Sequence, residues 1–117
     1  MRYLALLYSK EEDRPSPASP DYEQILAAYA EAARTFKEAG IFRAAAPLEP
    51  VAQAKSIRVR DGRVLITDGP FAETKERLGG FYILDCASLD QAEAMVALIP
   101  AAHYGTVELR PIKPMLP

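Results

Sequence analysis

Leu78-Gly79-Gly80-Phe81-Tyr82-Ile83-Leu84-Asp85 decides how this chain folds. Successive side chains of a strand point to opposite faces, and here both faces are apolar, so the segment reads as a central strand covered on both sides. The opening of the chain has the same character. Over Arg2 to Tyr8, Leu4 and Leu6 share one face and Tyr3, Ala5 and Leu7 the other. Two such strands need cover above and below, and that requirement organises the rest of the reading.

Immediately before Leu78 runs Thr67-Asp68-Gly69-Pro70-Phe71-Ala72-Glu73-Thr74-Lys75-Glu76-Arg77. Asp, Gly and Pro build a turn after a strand that ends at Thr67. Phe71 is then set among charges of alternating sign, where it is expected to pin the loop to the core. Further back, Ser56 to Arg60 and Arg63 to Thr67 form a hairpin through Asp61-Gly62, a pair that suits the type I′ turn. That two-residue loop places Arg60 opposite Arg63, Val59 opposite Val64 and Ile57 opposite Ile66. The valines and isoleucines share one face, and Arg58, Arg60 and Arg63 the other.

Towards the N-terminus, Ser9 to Ser19 is polar and holds Pro15 and Pro17, which marks a loop. A helix is expected from Pro20 to Ala39, with Ser19 as N-cap and Pro20 in the first turn. Tyr22, Ile25, Leu26, Tyr29, Ala33 and Phe36 recur every three or four residues as its apolar stripe. Gly40 ends it. Ile41 to Ala46 is a short strand, broken by Pro47 and Pro50. Beyond Asp85, Ser88-Leu89-Asp90-Gln91 is a capping box opening a second helix. Leu89, Ala92, Met95, Val96 and Ile99 form its buried stripe, and Pro100 stops it. Thr106 to Ile112 is the last strand.

The order strand, helix, strand, hairpin, strand, helix, strand predicts an α+β, ferredoxin-like sandwich with an inserted β-hairpin. Two helices cover only one face of its sheet. A second copy of the sheet is the simplest cover for the other, so a homodimer is expected. The 117 residues suit a single domain over 1–117.

With a net charge of -2, no basic face suggests a nucleic-acid partner. The N-terminal apolar run is too short for a signal or membrane segment, so no membrane association and a cytoplasmic location are expected. Cys86 is the one cysteine and His103 the one histidine, which leaves no zinc-type ligand set. Cys86 reads as a small packing residue. There is no Gly-rich phosphate loop, nucleophile elbow or dinucleotide fingerprint, so neither metal nor cofactor is expected. Gly79-Gly80 reads as a place where backbones approach closely.

The candidate chemistry is sparse. Asp68 is a candidate general base at a cleft rim, or the acceptor of an Asx turn. His103, whose ordinary pKa lies near neutrality, is a candidate acid that follows the second helix, or an inert loop residue. Glu73, Lys75 and Arg77 are candidate ligand contacts, or part of a solvated charged loop. Arg58 lies with Arg60 and Arg63 on a basic face, suited to an anion or serving to discourage edge aggregation. Tyr29 is a candidate ligand contact, or a core tyrosine with its hydroxyl bonded.

The segment Val59 to Tyr82 resembles the DGPF family of YCII-related proteins, as does Ile99 to Pro111. The resemblance runs over nearly the whole chain. It implies the dimeric α-β barrel form of the ferredoxin-like fold. Some members carry a His and an Asp at a cleft, and relatives are often encoded beside extracytoplasmic-function (ECF) sigma factors. Here Tyr29 stands where YCII-type members place the helix histidine, and Pro100 to Gly105 lacks the partner aspartate. The resemblance therefore implies a small polar or acidic metabolite bound in a dimer cleft, with acid/base chemistry as an option. The alternative is a regulatory or interaction module functionally linked to an ECF sigma factor. A cofactor-free oxygenase or isomerase role follows from fold analogy alone.

Overall fold

The computed structural model of the chain describes residues 1–115. Six strands form: β1 (Arg2–Ser9), β2 (Phe42–Pro47), β3 (Lys55–Arg60), β4 (Arg63–Asp68), β5 (Arg77–Asp85) and β6 (Thr106–Pro111). The helices are α1 (Tyr22–Glu38), α2 (Leu89–Val96) and α3 (Ala101–Tyr104). The main sheet has the order β2-β5-β1-β6, with every neighbouring pair antiparallel. This is the ferredoxin-like arrangement, and the two strands that are apolar on both faces, β1 and β5, are its centre. The β3–β4 hairpin is inserted as a separate two-stranded sheet.

Tyr3, Ala5 and Leu7 of β1 join Tyr82 and Leu84 of β5 on the helix-covered face. Ala32 and Phe36 of α1, Ala92 and Val96 of α2, and Ile99 complete the core. Phe36 is fully buried and meets Tyr82 edge to face, with ring centroids 5.7 Å apart at 86°. Cys86 is buried as expected, and burial, helped by the Asp85 carboxylate, pushes its thiol pKa up.

On the opposite face, Leu4 pairs with Ile83 and Leu6 with Phe81. These side chains are half-buried by one another. The chain spans 48 × 46 × 18 Å, and stacked layers lie about 10 Å apart. Its thin dimension therefore holds one sheet and one helix layer, and the second face of the sheet is bare.

The local signals are met with four shifts. The helix α1 begins two residues later than Pro20, with Asp21 as an N-cap lacking a side-chain bond. Ser19 instead closes a preceding turn, where its N–H donates to the Ser16 carbonyl and its own carbonyl accepts from Tyr22 N–H. The α1 stripe is buried only towards its C-terminal end, and Leu26 is 49% exposed. At that end Ile41 N–H reaches Phe36 O and Gly40 N–H reaches Lys37 O, the paired bonds of a Schellman motif. In α2, Ser88 Oγ accepts from Gln91 N–H as expected, but Leu89 at the first helical position turns outward and is 51% exposed. Pro100 does not mark a bare stop. The helix α2 already ends at Val96, and Pro100 is the N-cap of α3, its fixed φ lying in the helical range.

The hairpin register is as expected, with Asp61 at φ 50° and Gly62 at φ 75° in the turn. Its apolar face has no cover: Ile57, Val59, Val64 and Ile66 are 58–65% exposed. Phe71, expected to pin the following loop, is 85% exposed because no element packs over that loop. No helix among the described residues is long and apolar enough to cross a membrane.

Replacing the fully buried Phe36 with alanine is expected to cost about 3–5 kcal/mol, the range for emptying an aromatic core site. Leu26→Ala, on the same helix but half-exposed, is expected to cost less than about 1 kcal/mol. Urea unfolding of the two variants beside the parent measures the contrast.

Candidate functional site

The unequal burial along α1 creates a cavity between the helix and the sheet. Phe36 and Ala32 seat the C-terminal half of the helix on the sheet, while the N-terminal half stands off it. The space left between them measures about 350 Å³. That lies within the range of about 300–1,000 Å³ usual for small-molecule pockets. Tyr22, Ile25, Leu26 and Tyr29 line it from α1, Leu7 and Tyr82 from the sheet, and Ala45 to Pro47 from β2. Ala101 and Tyr104 close one side from α3, and Arg14 and Pro15 another from the loop after β1. The walls are mainly aliphatic and aromatic, with few polar atoms, as is usual where a small ligand is oriented by a handful of groups.

Two of those polar atoms are coupled. The hydroxyls of Tyr29 and Tyr104 lie 2.6 Å apart in a hydrogen bond between α1 and α3. Burial, and next the hydrogen bond to Tyr104, push the Tyr29 pKa well above the ordinary tyrosine value, while the Ala101 backbone amide opposes the shift. Tyr82 is pushed up too, by burial and then by Tyr104. Neutral phenols in such surroundings donate hydrogen bonds but do not act as bases at physiological pH.

The third polar group is the Arg14 guanidinium. Its Nη2 donates to the Leu48 carbonyl at 2.6 Å and to the Gly79 carbonyl at 3.3 Å. A Cβ on Gly79 would meet Arg14 Cζ at an ordinary 3.6 Å, whereas one on Gly80 would lie 3.0 Å from the Ala46 carbonyl oxygen, so the close approach expected of Gly79-Gly80 is found at Gly80.

Of the candidate site residues, Tyr29 alone lines this cavity. Asp68 ends β4 and pairs with Lys55 across the hairpin, while the Asp68-Gly69 turn is tied down by Gly69 N–H to the Ala54 carbonyl. Gly69 has φ 92°, a conformation that strains any residue with a Cβ, which explains glycine at that place in the motif. His103 is exposed on α3, and its Nε2 lies 3.1 Å from the Ala97 carbonyl. A carbonyl only accepts, so that nitrogen carries the proton. Arg58 lies opposite Leu65 on the exposed hairpin. Glu73 and Arg77 pair at 3.0 Å, and Lys75 lies on an open depression shared with Tyr8, Glu76 and Glu108. Asp68 and His103 line neither recess. Among the described residues no group of three or more His, Cys, Asp or Glu is placed to hold a metal ion.

Tyr104, Tyr82 and Arg14 were not singled out by sequence reading. Tyr104 belongs to a one-turn helix that looks like a connection, and Tyr82 looks like core. Arg14 is a single cation in a Pro-containing loop, and no local pattern marks it.

The chain matches the YCII-related domain over residues 1–116 and belongs to that family. It is 36% identical over 114 residues to an uncharacterised protein of Rhizobium meliloti (strain 1021), an alignment covering 96% of this chain and 92% of that protein. It is similar in fold to 5-chloro-2-hydroxyhydroquinone dehydrochlorinase (TftG) from Burkholderia phenoliruptrix AC1100, solved in complex with 2,5-dihydroxybenzoquinone. That similarity has a TM-score of 0.54 at 16% identity, covering 97% of this chain and 94% of the other.

The tyrosine shifts make a prediction about alkaline stability. An unfolded tyrosine ionises near the ordinary value of 10.0, whereas folded Tyr29 stays protonated well beyond it. Above that pH the unfolded state binds fewer protons than the folded state, so stability falls as pH rises. The loss of unfolding free energy between about pH 7 and pH 11 is expected to be smaller in Tyr29→Phe than in the parent. Equal losses in urea titrations at the two pH values would show that the Tyr29 shift is absent.

Proposed function

We propose that this YCII-related protein binds a small planar aromatic molecule bearing hydroxyl or carbonyl oxygens, in the cavity between α1 and the sheet. The observation that carries the reading is the Tyr29–Tyr104 hydroxyl pair on the wall of an otherwise mainly apolar recess. The Ala101 amide faces the Tyr29 oxygen. With Tyr29 donating to Tyr104, the Tyr104 hydroxyl is left to donate to a ligand oxygen. Aromatic walls suit a flat ring, which they meet in stacked or edge-on contacts. The ligand of the TftG complex, a benzoquinone, is a flat conjugated ring with hydroxyl and carbonyl oxygens, which supports the choice of shape and of polar groups. Proton transfer between Asp68 and His103 would need a second protomer to bring them to a common site, since neither lines a recess of one chain.

Calorimetric titration with 2,5-dihydroxybenzoquinone and with phenol tests this. Saturable binding is expected, with Tyr29→Phe and Tyr104→Phe each weakening it by about 2- to 12-fold, the worth of one hydrogen bond. No saturation up to millimolar concentration, or affinities unchanged by both substitutions, would remove the basis of the reading.

We also propose that the protein is a homodimer joined through the open face of its sheet, where Leu4, Leu6, Phe81 and Ile83 form the apolar surface. The Glu108–Arg110 pair flanks that surface on β6. An interface of ordinary size takes about 800 Å² from each partner, for which a four-stranded sheet face is suited. Sedimentation equilibrium should give twice the chain mass for the parent and the single-chain mass for Leu6→Glu. A parent that stays monomeric at tens of micromolar would exclude this interface. The regulatory alternative draws on a different surface, the exposed apolar face of the hairpin together with Phe71.

A further inference from the structure

The half-buried guanidinium of Arg14 lines the cavity and has no carboxylate partner among the described residues. Glu11, Glu12 and Asp13 precede it directly, yet all three are exposed and none pairs with it. Its two hydrogen bonds both leave from Nη2 to backbone carbonyls, so Nε and Nη1 keep their donors free. Taking a cation partly out of water without a counter-charge is unfavourable, and the cost falls sharply when an anion shares the site. The two carbonyls hold Nη2, and with it one end of the guanidinium, in place before any ligand arrives. A planar fork held in this way matches a carboxylate better than a spherical charge does.

We propose that Arg14 is the anion anchor of this cavity and that its ligand is an aromatic monoanion of the hydroxybenzoate class. The carboxylate is held by Arg14, the ring lies between the tyrosine and aliphatic walls, and the ring hydroxyl meets the Tyr29–Tyr104 pair. The inference rests on the reading that the cavity binds an aromatic molecule and adds the charge and the group that carries it. It also assigns the chain's binding polarity: neutral donors for the ring oxygen, one cation for the acid. Asp68 and His103 have no part in it.

The test compares 4-hydroxybenzoate with its neutral isostere 4-hydroxybenzamide by calorimetry, on the parent, Arg14→Gln and Arg14→Lys. In the parent the carboxylate is expected to bind about 10- to 100-fold more tightly than the amide, the range for a hydrogen bond to a charged group. In Arg14→Gln that advantage should vanish while the affinity for the amide is kept, which also shows that the cavity is still formed. Arg14→Lys should recover only part of the advantage, because a point charge replaces a planar fork. Equal binding of acid and amide in the parent, or an acid preference that survives Arg14→Gln, would overturn the anchor and leave the aromatic cavity standing. Binding of neither compound, nor of phenol, would instead overturn the cavity reading and the anchor with it.

Discussion

The seat of α1 on the sheet is the contact on which the site depends. Phe36 is fully buried against Tyr82, and the Schellman turn at Gly40 then returns the chain directly into β2. The helix is thereby fixed at one end only. Three turns earlier its stripe consists of Tyr22, Ile25 and Leu26, half-buried or exposed, and no sheet side chain fills the gap beneath. The bond between Tyr29 and Tyr104 bridges to α3 partway along the helix. The recess is thus a consequence of a helix anchored at its C-terminal end and tied laterally near its middle, and it lies on the helix side of the sheet. The cleft that a sheet-to-sheet dimer would form lies on the other side.

The same arrangement governs the electrostatics. Burial holds two tyrosines neutral, so the recess offers hydroxyl donors and no buried base. Its single cation is fixed by main-chain carbonyls, so an arriving anion meets a prearranged group. On the proposed reading, a site of this composition selects by shape, hydrogen-bond acceptors and one negative charge. In the hairpin and the DGPF loop, by contrast, two exposed ion pairs form, Asp68 with Lys55 and Glu73 with Arg77. Exposed pairs of this kind contribute little to stability. The turn motif that identifies the family is tied back to the start of the hairpin, where Gly69 N–H donates to the Ala54 carbonyl and Ser56 Oγ donates to the Gly69 carbonyl, and it lies apart from the recess.

Much of the fold was legible from local signals. The apolar side chains on both faces of β1 and β5 mark the centre of the sheet, where these two strands lie. Asp61-Gly62 sets the hairpin register, since only a two-residue turn of that type joins the strands without splaying them. Ser88 and Gln91 set the start of α2, because unpaired N–H groups at a helix end need nearby acceptors. Where the reading slipped, a longer-range fact intervened. Ser19 was drawn into the preceding turn, Leu89 faced outward at the first turn of its helix, and Phe71 had nothing to pack against.

The sequence by itself determined the ferredoxin-like order of elements, the central strands, the hairpin and the family, all of which rest on neighbours within a few residues or on a long contiguous motif. It also marked Tyr29. Only the tertiary structure decided that Tyr29 meets Tyr104, 75 residues away, and that Arg14 lies against Gly79, 65 residues away. The physical reason is that a recess belongs to no single element. It is the space left by the angle at which a helix lies on a sheet, and its polar groups come from whichever loops and turns reach the gap.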